Sequence, residues 1–103
     1  MSGLDTLSNA ELERLVMLAE EAGEGVQAVG KIIRHGYESH HPAGGPNNRV
    51  SLDQEVRDFL AVLSLMRRAG DLGVAPEDGD LLTSRRRKLR YAHHQSALVE
   101  EPR

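Results

Sequence analysis

Leu12, Leu15, Ala19, Ala22, Val26, Val29 and Ile33 recur at alternating spacings of three and four. That is one face of an α-helix, and a strand, whose side chains alternate every two residues, cannot generate it. Ser8 followed by Glu11 is an S-x-x-E capping box, flanked by Leu7 and Leu12 as a hydrophobic staple, so the helix is predicted to begin near Asn9 and to stop at Gly36. A second apolar stripe, Leu52, Val56, Phe59, Leu60, Leu63 and Met66, predicts a core helix that ends near Gly70, and Ser51 with Gln54 repeats the capping-box spacing at its start. The segment LLTSRRRKLRYAHHQ, residues 81–95, is predicted to be a third, strongly basic helix.

Two connections separate these helices. Tyr37 to Val50 holds two prolines, two adjacent glycines and two asparagines, a composition of loops. It is long for so short a chain, as loops that cover a site often are. Asp71 to Asp80 reads as a second loop, and SALVEEPR at the end as a frayed tail.

With 103 residues the expectation is one domain, its core spanning about residues 9–95, filled by aliphatic side chains because the chain has one Phe, two Tyr and no Trp. The fold class expected is all-α, a helical bundle. Three helices do not enclose a four-helix core, and Val62 and Leu65 add apolar surface outside the main stripe of the second helix. Self-association as a homodimer or homotetramer is therefore expected.

The lack of cysteine excludes disulfides, thiolate catalysis and Cys-based zinc sites, and accords with a reducing cytoplasm. No apolar run is long enough to span a bilayer, and MSGLDTLSNAELE lacks the character of a signal peptide, so a cytoplasmic protein with no membrane partner is expected. The net charge of −3 is unevenly placed, with acid dominant over residues 5–24 and base over residues 85–90.

Glu20, Glu21 and Glu24 share one arc of the first helix, roughly opposite Leu15, Ala22 and Val26, and Lys31 lies on the same arc. Glutamate favours helices, and an acidic face is commonly just a solvated surface. The second helix weighs against that. Glu55 and Asp58 stand at i and i+3, on an arc that continues into Val62 and Leu65, so the pair is turned toward protein. Carboxylates in an apolar setting call for a cation. One such pair from each of two facing helices would converge four carboxylates, a donor set suited to a hard divalent ion such as Mg²⁺.

The pattern Glu20-Glu21-Ala22-Gly23-Glu24, followed by Glu55-Val56-Arg57-Asp58, resembles the E-E-x-x-E and E-x-x-D motifs of the MazG-like all-α nucleoside triphosphate pyrophosphohydrolases. The likeness extends through LAEEAGEGVQAVGKIIRHGY, NNR, LDQEVRDFLAVLSLM and RKLRYAHHQ, roughly Glu11 to Gln95. It implies an enzyme, a hydrolase that cleaves a nucleoside triphosphate between the α and β phosphates. By the same resemblance Mg²⁺, or Mn²⁺ in its place, is held by Glu21, Glu24, Glu55 and Asp58. Glu20 matches a residue that takes a second ion or orients the attacking water, and Lys31 a phosphate contact. The main alternative, from a different class, is a non-catalytic helical interaction or nucleic-acid-binding module with the same fold, and a nearer one is a phosphoribosyl-ATP pyrophosphohydrolase.

Arg34, His35, Tyr37 and Asn48 flank the long loop and could frame the nucleotide, Tyr37 by stacking and Asn48 by hydrogen bonding. Equally, they could cap and turn the chain. His40, His41, His93 and His94 read as surface residues. The basic run Arg85, Arg86, Arg87, Lys88 and Arg90 is spread around its helix in an acidic protein, which argues against nucleic acid. Lys88, Arg90 or Tyr91 could instead reach a triphosphate at a subunit boundary.

Overall fold

A computed structural model describes residues 6–73 and 78–98, without the side chains of residues 78–80. Residues 1–5 of the N-terminal segment, 74–77 of the second connection and 99–103 of the tail lie outside the described residues. The described chain is all-helical and divides into two units, Met1–Gly73 and Val74–Arg103. No helix is long and apolar enough to cross a membrane among the described residues.

The first unit is an antiparallel hairpin of α1 (Asn9–His35) and α2 (Asn48–Ala69). The capping box forms as its spacing predicts: the Ser8 hydroxyl accepts from the Glu11 amide at 3.0 Å, and the Ser8 amide donates to Glu11 Oε1 at 2.9 Å. The Gly36 amide donates to the Ile32 carbonyl and closes α1.

The start of α2 differs from the expectation. The helix is capped by Asn47, whose Oδ1 accepts from the Val50 amide at 2.9 Å, so Ser51 lies inside the first turn. Contacts within the loop hold Asn47 at this position. It pairs with His40 in a short antiparallel bridge, and its Nδ2 donates to Glu38 at 3.2 Å. The loop is thus shorter than its composition implied. At the far end Gly70 takes the left-handed conformation, φ 86°, that glycine adopts without strain.

The stripe from Leu12 to Ile33 is the more exposed face of α1 and borders α2 only along a groove. The shielded line of α1 is Arg14, Leu18, Glu21, Gly25, Ala28 and Ile32, which also repeats at three and four. Against it lie Leu52, Glu55, Asp58, Phe59, Val62 and Met66 of α2. Among the described residues of this unit Ala28, Val62 and Met66 are buried, so Val62 belongs to the core rather than to surplus surface. Burying Val62 and Met66 contributes about 2 kcal/mol each. Val26 at 72% and Ile33 at 78% exposure, with Leu60 at 56%, leave an open apolar face.

The ends of the hairpin are tied differently. Arg14 of α1 makes a two-point ion pair with Asp71 just past α2, Nη2 to Oδ1 at 2.9 Å and Nε to Oδ2. At the loop end Asn48 Nδ2 donates to the Gly36 carbonyl at 3.0 Å, and the Arg49 amide donates to the Tyr37 carbonyl at 2.9 Å.

In the second unit α3 (Asp78–Leu89) starts three residues before and ends six residues before the predicted bounds. Residues 90–95 form turns, and Ser96–Leu98 a 3₁₀ turn within the expected tail.

Candidate metal centre and flanking clefts

The antiparallel pairing sets the i, i+3 acids of α1 against those of α2. One oxygen from each of Glu21, Glu24, Glu55 and Asp58 can be chosen so that all four lie within 4.8 Å of one another. Glu21, Glu55 and Asp58 are half-buried, and Glu24 is exposed. Glu20 is exposed and stands outside this group.

Four carboxylates this close repel one another. Glu55 is held above the ordinary carboxylate range, first by its hydrogen bond with Glu24, then by burial and by the charges of Glu24 and Asp58. Glu21 is raised chiefly by burial, then by the charges of Glu24 and Asp58. Oε2 of Glu21 and Oε2 of Glu55 are buried with no hydrogen-bond partner. Buried acceptors without donors are rare because each forfeits its hydration, and a cation relieves them. Asp58 is oriented by Gln54, whose Nε2 donates to Oδ1 at 2.9 Å, while Arg57 Nη2 donates to Gln54 Oε1 at 3.1 Å. The donor set is all oxygen, with no His or Cys, and fits a hard divalent ion.

Different surroundings open on the two sides of the carboxylates. One is a polar cleft of about 340 Å³ lined by Glu24, Gln27, Lys31, Asn48, Ser51 and Glu55. Lys31, Asn48 and Ser51 also line a cavity of about 480 Å³ with Arg34, His35, Ser39, His40 and His41. The other is an apolar groove of about 400 Å³ along Ala22, Val26, Val29, Val56, Phe59 and Leu60, with Glu21 and Glu55 at its edge.

Of the sequence-derived candidates, Lys31, Arg34 and Asn48 therefore stand beside the carboxylates or in the adjoining cavity. Asn48 has its amide nitrogen engaged by Gly36. Tyr37 is absent from these linings. The Arg49 guanidinium lies 4.2 Å from its ring centroid, over one face of the ring. Lys88 and Tyr91 belong to the second unit, where Lys88 lines a separate shallow pocket with Leu81, Ser84 and Leu89.

Gln27, Ser51, His40 and His41 join the clefts although sequence reasoning assigned them no role there. Gln27 stands three residues after Glu24, a spacing that would have placed it on the carboxylate arc. Ser51 was expected as a cap, and the histidines reach the cavity only through the closure of the loop. No family model, no curated protein and no solved structure matches this chain.

Proposed function

We propose that the protein is a Mg²⁺-dependent nucleoside triphosphate pyrophosphohydrolase of the MazG-like kind. The observation that carries the proposal is the convergence of Glu21, Glu24, Glu55 and Asp58, with two buried oxygens lacking donors, at the mouth of a cleft that also holds Lys31. A Mg²⁺ ion held by these four residues would neutralise phosphate charge and lower the pKa of a bound water.

The chain's own residues supply the rest. Gln54 steadies Asp58 so that its other oxygen serves the ion. Lys31 places a positive charge in the same cleft as Glu24 and Glu55, where it draws in phosphate oxygens. Glu20, exposed beside the cluster in sequence, accepts a proton from the attacking water or holds a second ion. In the reaction a water oxygen bonds to Pα and the bond from Pα to the bridging oxygen breaks. That oxygen leaves with the β and γ phosphates as pyrophosphate, and the water's proton passes to a base or to solvent.

The protein acts as a dimer or a dimer of dimers. Three buried side chains make a small core for this hairpin, and Val26, Ile33 and Leu60 form an apolar face that a second copy would cover.

A panel of nucleoside triphosphates assayed for released pyrophosphate tests the enzyme proposal. Glu55→Gln and Asp58→Asn should each lower turnover by about a hundredfold or more, since each weakens several kcal/mol of metal-borne charge stabilisation. Near-normal turnover in either variant, or calorimetry showing no Mg²⁺ binding to the unmodified protein, would overturn it.

A further inference from the structure

The loop cavity gathers positive charge that the carboxylate centre does not account for. Lys31 and Arg34 project from the last turns of α1, and His35, His40 and His41 join them around the cavity, which has Pro42 and Pro46 in its wall. No Asp or Glu lines it. Lys31 and Arg34 form no ion pair among the described residues, whereas Arg49 nearby is neutralised by Glu38 at 3.0 Å.

The loop is shaped in advance. The Ala43 amide donates to His41 Nδ1 at 3.0 Å, which leaves the hydrogen of the neutral ring on Nε2, a donor. His40 Nδ1 donates to the His41 carbonyl at 2.9 Å, and the Gly44 amide donates to the same oxygen. Gly44 and Gly45, at φ 102° and 105°, fold the loop back in a conformation that other residues rarely adopt. On α1, a Cβ at Gly30 would meet the Arg34 guanidinium at 3.4 Å, so the bare glycine lets that side chain lie across the helix.

We infer that this cavity is a diphosphate site, one that seats the β and γ phosphates while the α phosphate lies at the carboxylates, and that briefly holds the pyrophosphate produced. The inference rests on the proposed hydrolysis for its biological sense. Direction follows from charge. Lys31, Asn48 and Ser51 border both the carboxylate cleft and this cavity, making one continuous path, whereas the groove on the opposite side is lined by apolar residues and two glutamates. A polyanion is drawn along the cationic path and repelled from the other. Arginine, with its planar fork of donors, suits two phosphate oxygens at once.

Pyrophosphate titrated into the metal-free protein in chelator, followed by calorimetry and by amide NMR shifts, separates this site from the metal centre. Pyrophosphate should bind and move the amides of residues 36–47, while a nucleoside monophosphate should bind about tenfold more weakly or worse. Arg34→Ala should weaken pyrophosphate binding about tenfold, Arg34→Lys less, and Glu55→Gln should not weaken it. Equal affinity for the monophosphate, binding untouched by Arg34→Ala in a protein whose circular dichroism is unchanged, or shifts confined to other residues would each overturn the inference. Pyrophosphate binding without Mg²⁺ binding or hydrolysis would leave the site standing and defeat the enzyme proposal. Hydrolysis with pyrophosphate affinity indifferent to Arg34 would do the reverse.

Discussion

Glu55 joins stability and chemistry in one side chain. Its carboxyl and that of Glu21 are raised in the folded protein, so the native state binds more protons than the unfolded chain across the pH range between the two values. Stability of the metal-free protein should therefore fall as pH rises from the ordinary carboxylate range through those raised values. Mg²⁺ must displace the same protons, so its thermal stabilisation should be small near about pH 5 and full near about pH 8. Melting curves with and without Mg²⁺ at the two pH values check this. Glu55→Gln removes one of the clustered charges, and at about pH 8 it should melt above the unmodified protein in chelator yet gain nothing from Mg²⁺. The convergence of these acids was legible because their spacing on each helix is local information. The exclusion of Glu20 was not, since its arc overlaps that of its neighbours and only the packing angle of α2 separates them.

Among the elements, the helix ends show where local signals suffice and where they compete. Ser8 and Glu11 lie three residues apart with no rival nearby, and the box forms. Ser51 was read as the start of α2, yet the cap is Asn47, which the loop holds through its contacts with Glu38 and His40. Asn47→Ala should cost about 1 kcal/mol of stability in a chemical denaturation curve, because the cap bond to Val50 is lost. Ser51→Ala should cost far less stability and act instead on turnover, as a residue lining the cleft. At the other end of the hairpin, Arg14 holds the Asp71 carboxyl below its ordinary value, mainly through their hydrogen bond. Its stabilisation is present above the unfolded value and is lost as pH falls through the folded one, and Asp71→Asn should flatten that acid limb of a denaturation series.

For the whole molecule, two parallel lines on α1 share the same three-and-four rhythm, and periodicity does not say which one faces α2. The aliphatic line looked like the core and is the open face, while the line that packs inward contains Arg14, Glu21 and Gly25. The helical class was thus plain from the pattern, whereas the interior was not. Sedimentation or light scattering should give a mass at least twice the 11.3 kDa of the chain, and Val26→Lys with Leu60→Lys should return it to about one chain by placing charge on that face. Gly25 offers a finer probe. A Cβ there meets open space within the hairpin, so Gly25→Ala should leave one copy intact and disturb only what packs against the groove. The two tethers of the hairpin carry a last consequence. Arg14 with Asp71 at one end and Asn48 with Gly36 at the other oppose any slide of α2 along α1, a motion that in one helical turn would cover about 5.4 Å and scatter the carboxylates. A gap gauged from both ends cannot widen freely for a larger guest, so it should prefer a small ion such as Mg²⁺ to Ca²⁺ by radius rather than by charge.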